Sequence, residues 1–373
     1  MVDLVGQYEL INDQMDRAVL DVLHSGAYIN GEPVKQFSEN LSRCLDVKHV
    51  VPCGNGTDAL QIALMALDLQ LGDEVIVPAF TYIAPAEAAL LLGLTPVFVD
   101  VDLNTFNIDV TKIEAAISSK TKAIIVVHLF GQSCDMQAIL QIVQKHNLFL
   151  IEDNAQSIGC DYHFPDGKII KTGTIGHIGC LSFFPSKNLG CYGDGGAMLT
   201  NDDQIASRLR MIANHGQLEK YYHECIGVNS RLDTMQAAIL GVKLNYLDQY
   251  TAARQNAALR YDELLTDCKS IICPKVIQGQ EHVYHQYTIQ VPAKDRADLV
   301  RYLNESGIPT MIYYPLPLHK QKVFERNCRI SESLSVSEQL SQSVLSLPMH
   351  TELTAEMQQT ICTAINRYFS SNL

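Results

Sequence analysis

Lys187 lies in the stretch Ser182-Phe183-Phe184-Pro185-Ser186-Lys187-Asn188-Leu189-Gly190-Cys191-Tyr192-Gly193-Asp194-Gly195-Gly196. An apolar run ends in a serine and two aromatics, a proline and the lysine follow, and four glycines fall within residues 190–196. Glycine at that density frees the backbone to approach a ligand closely. A lysine held beside apolar side chains loses proton affinity through desolvation, and its neutral amine can add to a carbonyl carbon to form a Schiff base. The same residue type also fits a solvated surface loop, where most lysines sit. Residues upstream have to decide between the two.

Asp153 ends the apolar run Leu148-Phe149-Leu150-Ile151 and stands three residues before Gln156. A carboxylate at a buried strand end needs donors or a cation, or it takes up a proton. One role for it is a helix N-cap. The other is a partner for the cationic ring nitrogen of pyridoxal phosphate, which withdraws electrons only while that nitrogen keeps its proton. The segment Gly54-Asn55-Gly56-Thr57-Asp58-Ala59 has the G-x-G-x-x-A form of a dinucleotide site. That site also requires an acid at the end of the next strand. Here Glu74-Val75-Ile76-Val77 runs into Pro78-Ala79-Phe80-Thr81, with no carboxylate. A single phosphate on a helix N-terminus fits better, taken by the N–H groups of Gly56 and Thr57 with the Thr57 hydroxyl. Tyr82 offers a ring to a flat ligand or to ordinary packing. Ser182 offers a hydroxyl to the phosphate, or is simply a serine at a strand end.

These residues need elements to hold them. Between residues 48 and 200, short apolar runs alternate with helical stretches. Strands are expected at His49–Pro52, Glu74–Pro78, Pro96–Val99, Ala123–His128, Leu148–Ile151, Gly179–Phe183 and Ala197–Thr200. Helices are expected at Asp58–Leu69, Pro85–Leu92 and Met136–His146. The alternation predicts an α/β fold with a mostly parallel sheet covered on both faces. Ligands of such sheets collect at the carboxyl ends of the strands. Asn55-Gly56-Thr57, Ala79–Tyr82, Asp153–Gln156 and the Lys187 loop all follow strands. Asp233–Leu265 reads as one or two long helices. Beyond it, strands at His285–Val291 and Thr310–Tyr314 and helices at Ala297–Ser306 and Thr354–Tyr368 suggest a smaller α+β unit. The expected division is a large domain over 1–245 and a small one over 246–373, with the first residues packing on the small one.

At 373 residues the chain exceeds the usual single-core size. Its 47% apolar and 18% charged residues describe a globular protein. A net charge of −13 opposes binding to nucleic acid or an anionic membrane. The N-terminus lacks the apolar core of a signal peptide, and no apolar stretch is long enough to cross a bilayer. Eleven cysteines without a metal-ligand spacing point to reduced thiols, a cytoplasmic location and no metal site. Cys180 and Cys191, flanking the lysine loop, read as packing residues.

The whole set resembles the DegT/DnrJ/EryC1/StrS family of pyridoxal-phosphate aminotransferases, which act on nucleotide-linked keto sugars. The likeness rests on Val2-Asp3-Leu4, Gly56-Thr57-Asp58-Ala59-Leu60, Pro96-Val97-Phe98-Val99-Asp100-Val101-Asp102 and Ile151-Glu152-Asp153-Asn154-Ala155-Gln156. The lysine loop, Asn214-His215-Gly216-Gln217 and Gly227-Val228-Asn229-Ser230-Arg231-Leu232-Asp233 complete it. The resemblance implies the type I aminotransferase fold, with a large, mostly parallel seven-stranded sheet. It implies Lys187 as the Schiff-base lysine and proton shuttle, Asp153 on the pyridine nitrogen and Gln156 on the phenolic oxygen. Tyr82 would stack on the ring, and Gly56, Thr57 and Ser182 would hold the phosphate. Asn229 would reach the phosphate of a second subunit, making a homodimer with shared active sites. Arg231, Tyr313, Tyr314 and His319 would meet the nucleotide-sugar substrate, with glutamate as amino donor. Ser182–Gly196 most resembles enzymes aminating the 3-keto position of UDP-sugars, with surface polysaccharide as the destination. Many relatives carry His-Tyr-Pro where this chain has Tyr313-Tyr314-Pro315, which points to a different sugar. Two rivals are a sugar dehydratase, which in this family carries His in place of Lys187, and a regulatory protein that does no chemistry.

Overall fold

The computed structural model describes residues 1–371. All seven expected strands form, with ends moved by at most two residues: His49–Cys53, Glu74–Pro78, Thr95–Val99, Thr121–Val127, Phe149–Asp153, Ile178–Ser182 and Gly196–Thr200. They share one sheet in the order His49–Cys53, Gly196–Thr200, Ile178–Ser182, Phe149–Asp153, Thr121–Val127, Glu74–Pro78, Thr95–Val99. Only Gly196–Thr200 runs against its neighbours. A two-residue strand, Arg329–Ile330, adds an eighth member in parallel with Thr95–Val99. It has no hydrophobic alternation to announce it. Arg329 is anchored there by two 2.9 Å hydrogen bonds to Glu74.

The strands are buried on both faces, which is why they read as continuous apolar runs. Val75, Val77, Phe98, Ile125 and Ile151 join one core with the helices Gly56–Ala66, Ala84–Leu91 and Asp203–Ala213. The alternate residues Ile76, Val97, Ile124, Val126 and Leu150 join a second core with the helices Val110–Ala116 and Met136–His146. Side chains alternate across a strand, so neighbouring residues serve opposite cores.

Asp233–Leu265 forms two helices, Thr234–Leu244 and Leu247–Leu265. Beyond them, Tyr287–Gln290 pairs antiparallel with Val344–Leu347. A separate core gathers Tyr261, Tyr287, Leu299, Leu345 and Ile365. The strand expected at Thr310–Tyr314 is replaced by an isolated bridge between Met311 and Ser346. Pro309, Pro315 and Pro317 lack the N–H that a ladder needs, so the segment cannot extend into a strand. The N-terminal helices Leu4–Glu9 and Asn12–Ser25 touch both parts of the chain. Ile11 and Met15 pack on Ile239, while Met349 donates to the Met1 carbonyl at 3.2 Å.

Candidate active site

Cys53, Ser182 and Asp153 all end strands on one edge of the sheet, and Gly196 begins the reversed strand there. Register sets Asp153 opposite Cys180 on one side and Val127 on the other. The Lys187 loop leaves this edge after Ser182 and returns at Gly196. Its neck is closed by Phe183 donating to Gly195 and by Cys191 donating to Phe183, both at 2.8 Å. Lys187 itself donates its N–H to Phe184 at 2.8 Å. A Cβ on Gly190 would stand 2.4 Å from the Pro185 carbonyl oxygen, so the tight loop requires glycine there. Asn188 pins the loop from outside by donating to Val283 at 2.9 Å.

The Lys187 amine makes no hydrogen bond or ion pair among the described residues. Desolvation lowers its pKa to about 8, against the pull of Asp153, which raises it. The lysine is only partly exposed. With its pKa lowered to about 8, a minor but appreciable fraction of the amine is neutral near physiological pH.

Two adjacent carboxylates meet opposite fates. Glu152 is fully engaged: Gly173, Ile175 and Gly176 donate backbone N–H at 2.8, 2.8 and 2.6 Å, and His128 Nε2 lies at 2.9 Å. His128 accepts from the Cys134 N–H through Nδ1 at 3.1 Å, so its Nε2 carries the proton toward Glu152. Among the described residues the Asp153 carboxylate accepts only from the Ala155 N–H, at 3.1 Å. Desolvation raises its pKa, opposed by the Ala155 N–H and by the charge of Lys187. Glu152 is a structural tie between strands. Asp153 is a buried acid with an oxygen left over.

Gln156 accepts from the Phe130 N–H at 2.7 Å and donates to the Tyr314 hydroxyl at 3.3 Å. This fixes its amide beside Asp153 and draws Tyr314 in from the far end of the chain. Tyr82 is 58% exposed, with its ring centroid 6.3 Å from that of Tyr314.

The helix Gly56–Ala66 starts at the same edge. Asn55 caps it by accepting from the Asp58 N–H at 2.8 Å. The first-turn N–H groups of Gly56 and Thr57 have no intrahelical acceptor. A Cβ on Gly56 would stand 2.7 Å from the Ser182 Cβ, so glycine lets this helix end reach Ser182. Ser230 ties the next segment in, accepting from Gly54 at 2.8 Å and donating to Asp58 at 2.6 Å.

The structure thus gathers Gly56, Thr57, Ser182, Asp153, Gln156, Lys187, Tyr82 and Tyr314. The outer candidates stand apart. Asn229 is exposed and bridges only to Asn214. Arg231 is partly exposed, without an acid partner among the described residues. Tyr313 is half-buried beside Tyr314. His319 is buried, with Nε2 at 3.0 Å from Glu338, and its contacts run to that residue rather than to Lys187. Sequence reasoning missed His285, which is 5% exposed and has no partner on Nδ1. Its pKa is pushed well down by desolvation and by the charges of Lys187 and Arg254, so a neutral imidazole stands near the lysine. No local pattern marks it. Asn55 was findable, since asparagine before an apolar helix is a capping signal.

A desolvated amine, a half-paired buried acid, an amide and a helix N-terminus with unpaired first-turn N–H groups lie on one sheet edge. They fit a flat heteroaromatic ring with a basic nitrogen, a reactive carbonyl and a phosphate. Among the described residues no group of His, Cys, Asp and Glu is arranged to hold a metal ion. Among the described residues no helix is long and apolar enough to cross a membrane.

Fold and site together define an α/β protein with a desolvated lysine at the carboxyl ends of its parallel strands. The chain belongs to the DegT/DnrJ/EryC1/StrS aminotransferase family, whose model matches residues 9–366. It is 46% identical to a "pleiotropic regulatory protein" of Geobacillus stearothermophilus, over 99% of this chain and 98% of that one. It is 44% identical to the UDP-2-acetamido-2-deoxy-3-oxo-D-glucuronate aminotransferase of Pseudomonas aeruginosa, over 98% of both. Among solved structures it resembles NtdA of Bacillus subtilis with bound cofactor PMP. The TM-score is 0.88 at 34% identity, covering 96% of this chain and 82% of that one.

Proposed function

We propose that this protein transfers an amino group from glutamate to a nucleotide-linked keto sugar, using pyridoxal 5'-phosphate. The observation that carries this reading is the pair Lys187 and Asp153. Both are desolvated, both are short of partners, and each feels the other's charge. A ring nitrogen on Asp153 would supply the cation its free oxygen lacks. Lys187 would hold the carbonyl end, Gln156 the phenolic oxygen, and Gly56, Thr57 and Ser182 the phosphate. Tyr82 would cover the ring. When bound, the cofactor supplies a carbonyl to carry the amino group and an electron-poor ring to absorb negative charge.

The chain's own residues do the rest. A lysine with a pKa of about 8 is neutral often enough to take a proton from a substrate carbon and to return one. Asp153 would hold a ring nitrogen in its protonated form. The closed neck of the loop, from Phe183 to Gly195, limits how far Lys187 moves.

The finer features are our reading of the relatives and the sequence. The 3-keto position and a UDP-sugar follow the likeness to the P. aeruginosa enzyme. Arg231, Tyr313, Tyr314 and His319 line the sugar-nucleotide side in this reading. Asn229, exposed and without a side-chain partner among the described residues, is offered to a second copy of the chain in this reading. Product for a surface polysaccharide follows from the same likeness.

A regulatory protein without chemistry is the second reading, prompted by the G. stearothermophilus relative. Freed from chemistry, a protein gains nothing by keeping an unpaired lysine and a half-paired acid desolvated together. The test is direct. Pyridoxal phosphate added to the protein should give a yellow absorbance band that borohydride abolishes, leaving the tag on Lys187. A panel of UDP- and dTDP-keto sugars with glutamate should then identify an acceptor by parallel double-reciprocal lines. No band, or a tag at another lysine, overturns the proposal.

A further inference from the structure

A second lysine sits against the return limb of the Lys187 loop. Lys243, on the helix Thr234–Leu244, is 1% exposed. Its ammonium makes no hydrogen bond or ion pair among the described residues, and it lies 4.3 Å from the centroid of the Tyr192 ring. Desolvation lowers its pKa to about 8, opposed in small part by Glu352. A buried cation without an acceptor costs stability, and a methionine of similar shape would avoid that cost. The group in direct contact with the charge is the Tyr192 ring, itself 36% exposed, through a cation–π contact.

Tyr192 is the point at which this helix grips the loop. Gln236 accepts from the Tyr192 N–H at 2.9 Å and donates to its carbonyl at 3.4 Å. The same amide stands 3.0 Å from where a Cβ on Gly193 would fall. On the other side, the Tyr8 ring meets Tyr192 edge-on at 6.5 Å. One residue back, the Cys191 thiol donates to the Phe183 carbonyl at 3.0 Å, next to the neck of the loop. The helix begins just after Arg231, so it joins the loop to the segment that Ser230 anchors.

We propose that Lys243 is a positioning residue: its ammonium, set against Tyr192, fixes the limb of the loop that presents Lys187. This rests on Lys187 being the reactive amine. The test uses the full-length protein without cofactor. Wild type, Lys243→Met, Lys243→Arg, Tyr192→Phe, Tyr192→Leu and the double variant K243M/Y192L are pulse-labelled with acetic anhydride across a pH series. Modification of Lys187 is read by mass spectrometry. Association of pyridoxal phosphate is followed by absorbance, and thermal unfolding is recorded in parallel. K243M and Y192L should change the Lys187 labelling rate and slow cofactor association by about tenfold, the scale of one desolvated cation–π contact. K243R and Y192F should behave as wild type, the double variant should be no worse than either single one, and K243M should unfold no earlier than wild type. Wild-type labelling and association in K243M would overturn the proposal, as would damage in K243R equal to that in K243M. Should K243M fail to fold, a wild-type-like Y192L overturns it alone. Failure of wild-type Lys187 to react with pyridoxal phosphate would instead strike the proposed function.

Discussion

Lys187 and Lys243 have nearly the same proton affinity, each lowered to about 8 by desolvation. Their surroundings differ. Lys187 sits on a glycine-rich loop at the edge of the sheet, partly exposed, beside an acid with an unused oxygen. Lys243 sits inside a helix packing layer, closed from solvent, with an aromatic ring as its neighbour. A lowered pKa therefore does not make a nucleophile. Access also matters, and Lys187 is partly exposed whereas Lys243 is 1% exposed.

The sharpest way to break this contrast is to remove each amine. Lys187→Ala should lower turnover of the keto sugar by about a thousandfold or more, the upper range for loss of a general acid–base. The loss in K243M should be about a hundred times smaller. Comparable losses, measured as kcat on one substrate, would erase the distinction. Asp153→Asn keeps the shape and removes the countercharge. It should cost about a hundredfold in kcat while pyridoxal phosphate still binds. An unchanged kcat would mean that Asp153 serves only as a cap. Gly56→Ala pushes the helix end from Ser182, and should weaken cofactor binding by about tenfold in an absorbance titration.

The two amines should also leave a matching mark on stability. Both have folded-state pKa values below the ordinary 10.5. Between about 8 and 10.5 the unfolded chain binds more protons, so the stability of the cofactor-free protein rises with pH across that window. The cost is full below it. Lys187→Met and Lys243→Met should each unfold later than wild type near pH 7, with the advantage shrinking toward pH 10 in calorimetry. An advantage that grew with pH would contradict desolvation as the cause. The smallest effect is expected at Ser230→Ala, which removes two hydrogen bonds without touching either lysine. It should cost about 1–3 kcal/mol in denaturant unfolding.

Much of the site was legible because the fold makes it so. In a parallel sheet, chemistry collects where strands end, and strand ends are visible as apolar runs that stop. That logic found Asp153 after Leu148–Ile151, the helix start after Asn55 and the lysine loop after Ser182. It worked because fully buried strands carry an uninterrupted apolar signal. It failed where proline and a tertiary contact replaced the ladder, as at Thr310–Tyr314. It also failed for Arg329–Ile330, where one ion pair with Glu74 makes a strand of two residues. His285 and Lys243 carried no local signal, because each matters through something distant in the chain.

Residue types and spacing alone determined the alternation of strands and helices, the edge on which ligands gather and the identity of the acid, amide and amine set there. Those features depend on local periodicity and on chemistry that few residue types can perform. Tertiary structure alone decided which of two adjacent carboxylates keeps a free oxygen, because Glu152 is consumed by three backbone donors and His128 while Asp153 is not. It also decided which of two desolvated lysines faces open space. Burial and partner geometry arise only when segments far apart in the chain meet.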